Sequence, residues 1–237
     1  LKLNVEILSC AAAHGEIKKL AVFMHFKNLY SNSCYYNWSI KNLAKKSGLS
    51  RTACGRYVKM FLKDGWCVDR DGNLSFVSIG KIYEISKKGV RMDFDAKNKG
   101  YKQIQEELQL LILKVTRSRF EYVQKMQDDK NLGNYVSPKT IRMRKRYNVK
   151  EIQICESLGF SISIKKIAKI FATSLSGAGR IMKRLVDVGL VQKFHNYRNF
   201  GNINDKPWLS NALRWNNELF VSKDGFVSKR LANSYFL

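Results

Sequence analysis

Ser39-Ile40-Lys41-Asn42-Leu43-Ala44-Lys45-Lys46-Ser47-Gly48-Leu49-Ser50 has a second copy 124 residues further on, Ser163-Ile164-Lys165-Lys166-Ile167-Ala168-Lys169 followed by Ser174. The match continues through Gly55-Arg56 against Gly179-Arg180 and Lys59 against Lys183, and it closes at Gly65-Trp66-Cys67 against Gly189-Leu190-Val191. Ten of the 29 positions in 39–67 and 163–191 are identical without a gap, and many others keep their apolar or polar character. An internal repeat fixes the architecture before any single element is read. This one places the same helix-turn-helix pattern twice in one chain.

Each copy parses the same way. Ile40, Leu43 and Ala44 make the buried stripe of a short helix that closes at Ser47-Gly48, where glycine suits a left-handed C-cap. Ser50 caps the next helix, in which Tyr57, Val58, Phe61 and Leu62 recur at helical spacing until Gly65. The second copy repeats this with Ile164, Ile167 and Ala168, then Ser174, then Ile181, Met182, Leu185 and Val186, ending at Gly189. A first helix precedes each copy. One is predicted over about 16–30, with Ile17, Leu20, Ala21 and Met24 as its stripe; the other is predicted to open at Ser137-Pro138.

A strand-turn-strand pattern follows each copy. Cys67–Arg70 and Leu74–Val77 flank Asp71-Gly72-Asn73, a strong hairpin signal. In the second copy Val191–Phe194 and the stretch 196–200 offer the equivalent ribbon with a weaker turn. The expected fold is therefore mainly α with small β-hairpin wings, an α+β chain of two winged helix-turn-helix domains joined by a long helix. The expected boundaries are 1–96 and 135–200 for the domains, 97–134 for the helical connector and 201–237 for a C-terminal extension. The connector carries Ile104, Leu108, Leu111, Ile112, Val115, Phe120 and Val123 on a helical period. That face is broad enough to pack within the chain, the favoured reading, or to form a homodimer. The extension holds a second hairpin-like segment, Phe220–Val227.

Charge names the partner class. Lys and Arg number 43 against 19 Asp and Glu, a formal net charge of +24. Such a chain is drawn to polyanions, and phosphate neutralisation with counterion release supplies affinity of any sequence. Hydrophobic residues make up 45%, as in an ordinary folded protein. No apolar run approaches the length of a membrane span. The five cysteines, Cys10, Cys34, Cys54, Cys67 and Cys155, have no CxxC spacing, which argues against a zinc site or a disulfide framework and for a reducing cytoplasm. The sequence opens on Leu1, so an upstream leader stays open.

In a helix-turn-helix the second helix enters the major groove and its early residues meet base edges. The base-reading candidates are Arg51, Thr52, Arg56 and Lys59 in the first copy and Ser176, Arg180 and Lys183 in the second. Arginine pairs with guanine bidentately, and Ser or Thr meets either base type. Lys41, Lys45, Lys165 and Lys169 on the preceding helices are placed to clamp phosphate. The wings add Arg70 and Asn73, then Lys193, His195 and Arg198; a basic run at 139–146 adds Arg142, Arg144, Lys145 and Arg146. The repeated Gly55 and Gly179 either let the backbone approach the duplex or relieve crowding between helices.

Enzyme signals are poor. No GxxxxGK[ST] loop is present, and His14, His25 and His195 are too dispersed for a metal centre, so no cofactor or metal is expected. His195-Asn196-Tyr197-Arg198 with Tyr235 downstream resembles part of a tyrosine recombinase site, but it falls in the expected wing and lacks the remaining spacing. As a whole the pattern resembles the tandem winged-helix replication initiators of plasmids and phages. That resemblance implies double-stranded DNA as partner and a role in replication initiation or transcription regulation, with Arg51, Arg56, Arg180 and Lys183 reading bases. A packaging or chromosome-associated nucleoprotein without sequence preference, and an RNA binder, stay open beside it.

Overall fold

The computed structural model describes residues 2–29, 33–83, 91–131, 160–194, 197–206, 219–222, 225–230 and 234–236. The chain is mixed α+β, with helices and small antiparallel sheets. It divides into two compact units, 1–154 with 169–173 and 155–168 with 174–237.

The first unit opens with β1 (Lys2–Asn4), α1 (Val5–Ala13) and α2 (Ile17–Asn28). It continues with β2 (Cys34–Tyr35), α3 (Ile40–Ser47), α4 (Arg51–Lys63), β3 (Cys67–Arg70) and β4 (Asn73–Phe76). After a 3-10 turn at Ile79–Lys81 come β5 (Arg91–Asp93), which pairs with β1, and α5 (Tyr101–Asn131). Every residue of α2 from Lys19 to Phe26 is buried, because α1, α4 and α5 all pack on it. Phe23 is the hub: its ring lies 5.6 Å from Phe61, 5.4 Å from Trp66 and 5.6 Å from Phe76, all edge-on. Each such pair adds about 0.5–1.5 kcal/mol beyond the area it buries. Through Phe61 and Trp66 this cluster fixes α4 and the start of β3 on the core.

The long helix α5 is no free spacer. Ile104, Leu108, Ile112, Leu113 and Val115 are buried, and its first half lies against α1 and α2. The imidazole of His25 faces the carbonyl oxygens of Lys99 (3.0 Å) and Ser47 (3.1 Å), tying α2 both to the lead-in of α5 and to the end of α3. Lys19, buried on α2, donates to Glu16 and Asp64 and lies 4.1 Å above the Trp66 ring. That network pins the end of α4.

The hairpin expected at Asp71-Gly72 forms. Asp71 (φ 51°) and Gly72 (φ 75°) both take left-handed backbone, the two-residue turn whose twist matches paired strands. β3 and β4 pair from Arg70↔Asn73 to Cys67↔Phe76, and β2 adds to the other edge of β4, giving the order β2-β4-β3.

The described part of the second unit comprises β6 (Phe160–Ser161), α6 (Ile164–Ile170), α7 (Leu175–Asp187), β7 (Gln192–Phe194), β8 (Tyr197–Asn202), β9 (Leu219–Val221), β10 (Phe226–Arg230) and β11 (Ser234–Phe236). Residues 169–173 group with the first unit. The start of α6 and both ends of α7 fall at the positions the repeat assigns, Ile40 against Ile164 and Arg51–Lys63 against Leu175–Asp187.

The second ribbon departs from expectation. β7 and β8 follow each other but do not pair: β7 pairs with β11 and β8 with β10. The described strand β7 ends at Phe194, and the chain meets it again far along the sequence. It returns as β11, which lies between β6 and β7. The order β6-β11-β7 therefore reproduces β2-β4-β3, with the middle strand supplied from far along the chain. Ser234–Phe236, within the stretch expected as a separate extension, thus completes the sheet of the second unit. The hairpin read at Phe220–Val227 is present as β9 and β10, Val221 facing Val227, within a sheet of order β8-β10-β9. The first helix expected after Ser137-Pro138 lies outside the described residues.

Candidate nucleic-acid interface

Serine caps build the same frame in both copies. Ser39 Oγ accepts the N–H of Asn42 and Ser163 Oγ that of Lys166, each at 3.2 Å. Ser50 Oγ accepts from Ala53 at 3.2 Å and Ser174 Oγ from Gly177 at 3.1 Å. Each satisfies a backbone donor that the first helical turn leaves open. The caps hold the starts of α4 and α7, where the candidate base-reading residues begin.

On α4, Cys54, Tyr57, Val58 and Phe61 face the core, which turns Arg51, Thr52, Arg56 and Lys59 to solvent. On α7, Ala178, Met182 and Leu185 are buried while Ser176, Arg180 and Lys183 are exposed. Lys41 and Lys45 are exposed on α3, as are Lys165 and Lys169 on α6. From Ile40 to Lys63 there are seven Lys and Arg and no acid; from Ile164 to Asp187 there are six, with Asp187 the sole acid. Each helix pair thus concentrates one sign of charge. Lys46, Lys63, Lys166 and Arg184 are further exposed cations on these helices that sequence reading passed over. Helical spacing was the available signal, since Lys63 follows Lys59 and Arg184 follows Arg180 by one turn.

The Arg56 guanidinium carbon lies 5.6 Å from the centre of the Tyr57 ring. Burial pushes the Tyr57 phenol up, and the neighbouring Arg56 offsets only part of that rise.

Gly55 and Gly179 are half-exposed, one residue before these arginines. A Cβ on Gly55 would meet only Ile40 Cδ1, at an ordinary 3.5 Å, and a Cβ on Gly179 would meet nothing within 4 Å. Crowding between helices therefore does not demand glycine at either place. Glycine inside a helix still costs about 1 kcal/mol relative to alanine. Both copies carry that cost on their cationic face with no packing reason for it among the described residues.

The first hairpin tip mixes charges. Arg70 is exposed but stands between Asp69 and Asp71. Asn73 also serves the fold: its Oδ1 accepts the N–H of Asn37 at 3.2 Å, beside a bond from Trp38 N–H to Gly72 O at 3.0 Å. In the second unit Lys193 is exposed on β7, and Arg198 stands on β8 opposite Lys229. His195, Arg142, Arg144, Lys145 and Arg146 lie outside the described residues.

No family model, curated protein or solved structure matches the chain. Among the described residues no helix is long and apolar enough to cross a membrane, and no group of three or more His, Cys, Asp and Glu is placed to hold a metal ion. Two cationic, serine-capped helix pairs remain as the feature with chemical direction.

Proposed function

We propose that this chain is a non-enzymatic, double-stranded DNA-binding protein of two winged helix-turn-helix units, acting in the host cytoplasm or nucleoid. α4 and α7 enter two nearby major-groove segments. Arg51, Thr52, Arg56 and Lys59 read one element and Ser176, Arg180 and Lys183 the other, while the lysines of α3 and α6 hold phosphates. The sheet orders β2-β4-β3 and β6-β11-β7 around the repeated helix pairs support the winged-helix reading.

One observation carries the function. Gly55 and Gly179 recur on acid-poor helix faces, each beside an arginine, where none of the described residues needs them. A partner that must approach the helix backbone closely explains the repetition, and the charge of the face selects a phosphate polymer. Tethering makes the second contact intramolecular, so two modest affinities multiply. The role that fits is recognition of an origin or operator on a plasmid, phage or other mobile element, as in the tandem winged-helix initiators this chain resembles.

Selection from a random duplex pool at about 150 mM salt, where screening suppresses non-specific attraction, tests the reading. The expected result is a motif of two elements at fixed spacing. Arg56→Ala or Arg180→Ala should then weaken binding to the selected site by roughly 1–3 kcal/mol for each base that the arginine no longer reads. An unenriched pool with steeply salt-dependent binding would replace site recognition by bulk packaging of DNA. Preference for RNA over duplex DNA in competition would sink the proposal.

A further inference from the structure

The chain has three histidines, and one of them, His25, is buried on α2, only 8% exposed. Its Nδ1 lies 3.0 Å from the carbonyl oxygen of Lys99 and its Nε2 3.1 Å from that of Ser47. A carbonyl oxygen can only accept, so each contact is a hydrogen bond only where that nitrogen carries a proton. Neutral imidazole has one N–H, and its second nitrogen would set a lone pair against a carbonyl. The imidazolium alone satisfies both partners, and a buried polar group left unmet is costly.

The surroundings suit a cation. Ser47 is the last residue of α3, so its carbonyl is one that the helix leaves open, at the negative end of the helix dipole. On the side of α5, the Tyr101 ring lies 6.4 Å away, centre to centre, and the Lys99 ammonium is turned to Glu107 at 2.8 Å. On α4, the Cys54 thiol, pushed up by burial, meets the Ser47 hydroxyl at 3.4 Å. Lys45 and Lys46, in the last turn of α3, are exposed.

Its place in the fold gives the proton a consequence. Ser47 is the joint of the first helix pair: its carbonyl faces His25, while its hydroxyl touches Cys54 of α4 and accepts the N–H of Leu49 at 3.4 Å. Gly48 and Ser50 then turn the chain into α4, the helix of Arg51, Thr52, Arg56 and Lys59. Lys41 and Lys45 stand on α3 itself. His25 thus seats both helices of the pair on α2. The second copy has no such tie, because no histidine lies between residues 26 and 194.

We infer that His25, as a doubly donating imidazolium, is a positioning residue for DNA binding by the first unit, which grips its element more tightly when His25 is charged than when it is neutral. The inference rests on the DNA-binding reading above. It makes one unit responsive to pH through a group that touches no DNA.

The test uses the full chain. Long-range proton–nitrogen NMR spectra read the proton count on each histidine ring, and the buried ring is the one slowest to exchange with solvent. Two protonated nitrogens are expected on it at about pH 6, within the range where histidine changes charge. A neutral ring there overturns the inference even if no variant folds. Affinity for the selected duplex is then followed from about pH 5.5 to 8, with each element in turn replaced by random sequence. Binding through the first element should weaken about two- to tenfold as pH rises, the worth of one hydrogen bond. His25→Gln, whose single amide nitrogen cannot serve both carbonyls, should flatten that profile and leave the profile of the second element as it is in the wild type. The same first-element profile in a folded His25→Gln overturns the inference and leaves the DNA reading standing. No binding by the intact protein at any pH removes both.

Discussion

Ala172 occupies the left-handed turn that Gly48 occupies in the other copy, with φ 44° against 68°. Gly48 closes α3 at no steric cost, while Ala172 brings a Cβ into a conformation that disfavours it by about 1–2 kcal/mol. Ala172→Gly should therefore stabilise the protein by roughly 0.5–1 kcal/mol, after about 0.4–1 kcal/mol is returned as unfolded-chain entropy. Gly48→Ala should destabilise it by a similar amount. Urea titrations of the two variants check both signs, and a destabilised Ala172→Gly would contradict the strain.

Gly55 and Gly179 give a pair of effects with opposite signs. Replacing either by Ala should raise helix stability by about 0.5–1 kcal/mol, since no neighbour is displaced. The same change should weaken binding to the selected duplex. Thermal melts alongside titrations of labelled DNA measure the two together. Unaltered affinity in a stabilised variant would remove the close-approach argument.

Lys19 sets an alkaline limit for the first unit. Burial alone would pull its ammonium down, but the hydrogen bonds and charges of Asp64 and Glu16 outweigh burial and raise it above 10.5. A raised folded value means that the contribution is complete below pH 10.5 and fades as pH climbs through that folded value. Lys19→Met should cost about 1–3 kcal/mol at neutral pH, short of a fully buried pair because Asp64 keeps 36% of its side-chain surface exposed. The gap between variant and wild type should narrow above pH 10.5. A constant gap across pH 8–12 would mean that packing on Trp66, not charge, is what Lys19 supplies.

The thiols should divide by burial. Cys67 is pushed up to about 12, chiefly by burial and further by Asp69, and burial raises Cys54 as well. Cys10 and Cys34 are partly exposed. Iodoacetamide at pH 8, followed by peptide mass analysis, should label Cys10 and Cys34 first and spare Cys54 and Cys67 until the protein unfolds. Early labelling of Cys67 would show that the junction between α4 and β3 opens readily.

What could be read in the sequence was what short-range chemistry dictates. Ser50 and Ser174 cap helices because a hydroxyl three residues from an open N–H has one good use, and Asp71-Gly72 turns because its backbone must. The exposed cations of α4 and α7 followed from the buried stripe on the opposite face. Pairing between distant strands was not legible: nothing near Phe194 announces Ser234 as its partner. The second task of Asn73 went unread for a related reason. Its amide suits DNA as well as the N–H of Asn37, and only the fold brings the latter near.

The strand β11 also governs the order in which structure can assemble. In the first unit β3 finds β4 across the contact Arg70↔Asn73, and a hairpin of this kind zips within about 1–10 μs. In the second, Phe194 must wait for Ser234, and closing that longer loop adds roughly 2 kcal/mol of chain entropy. The second sheet is therefore the slower to form, because its middle strand reaches β7 only after the chain between Phe194 and Ser234 has closed.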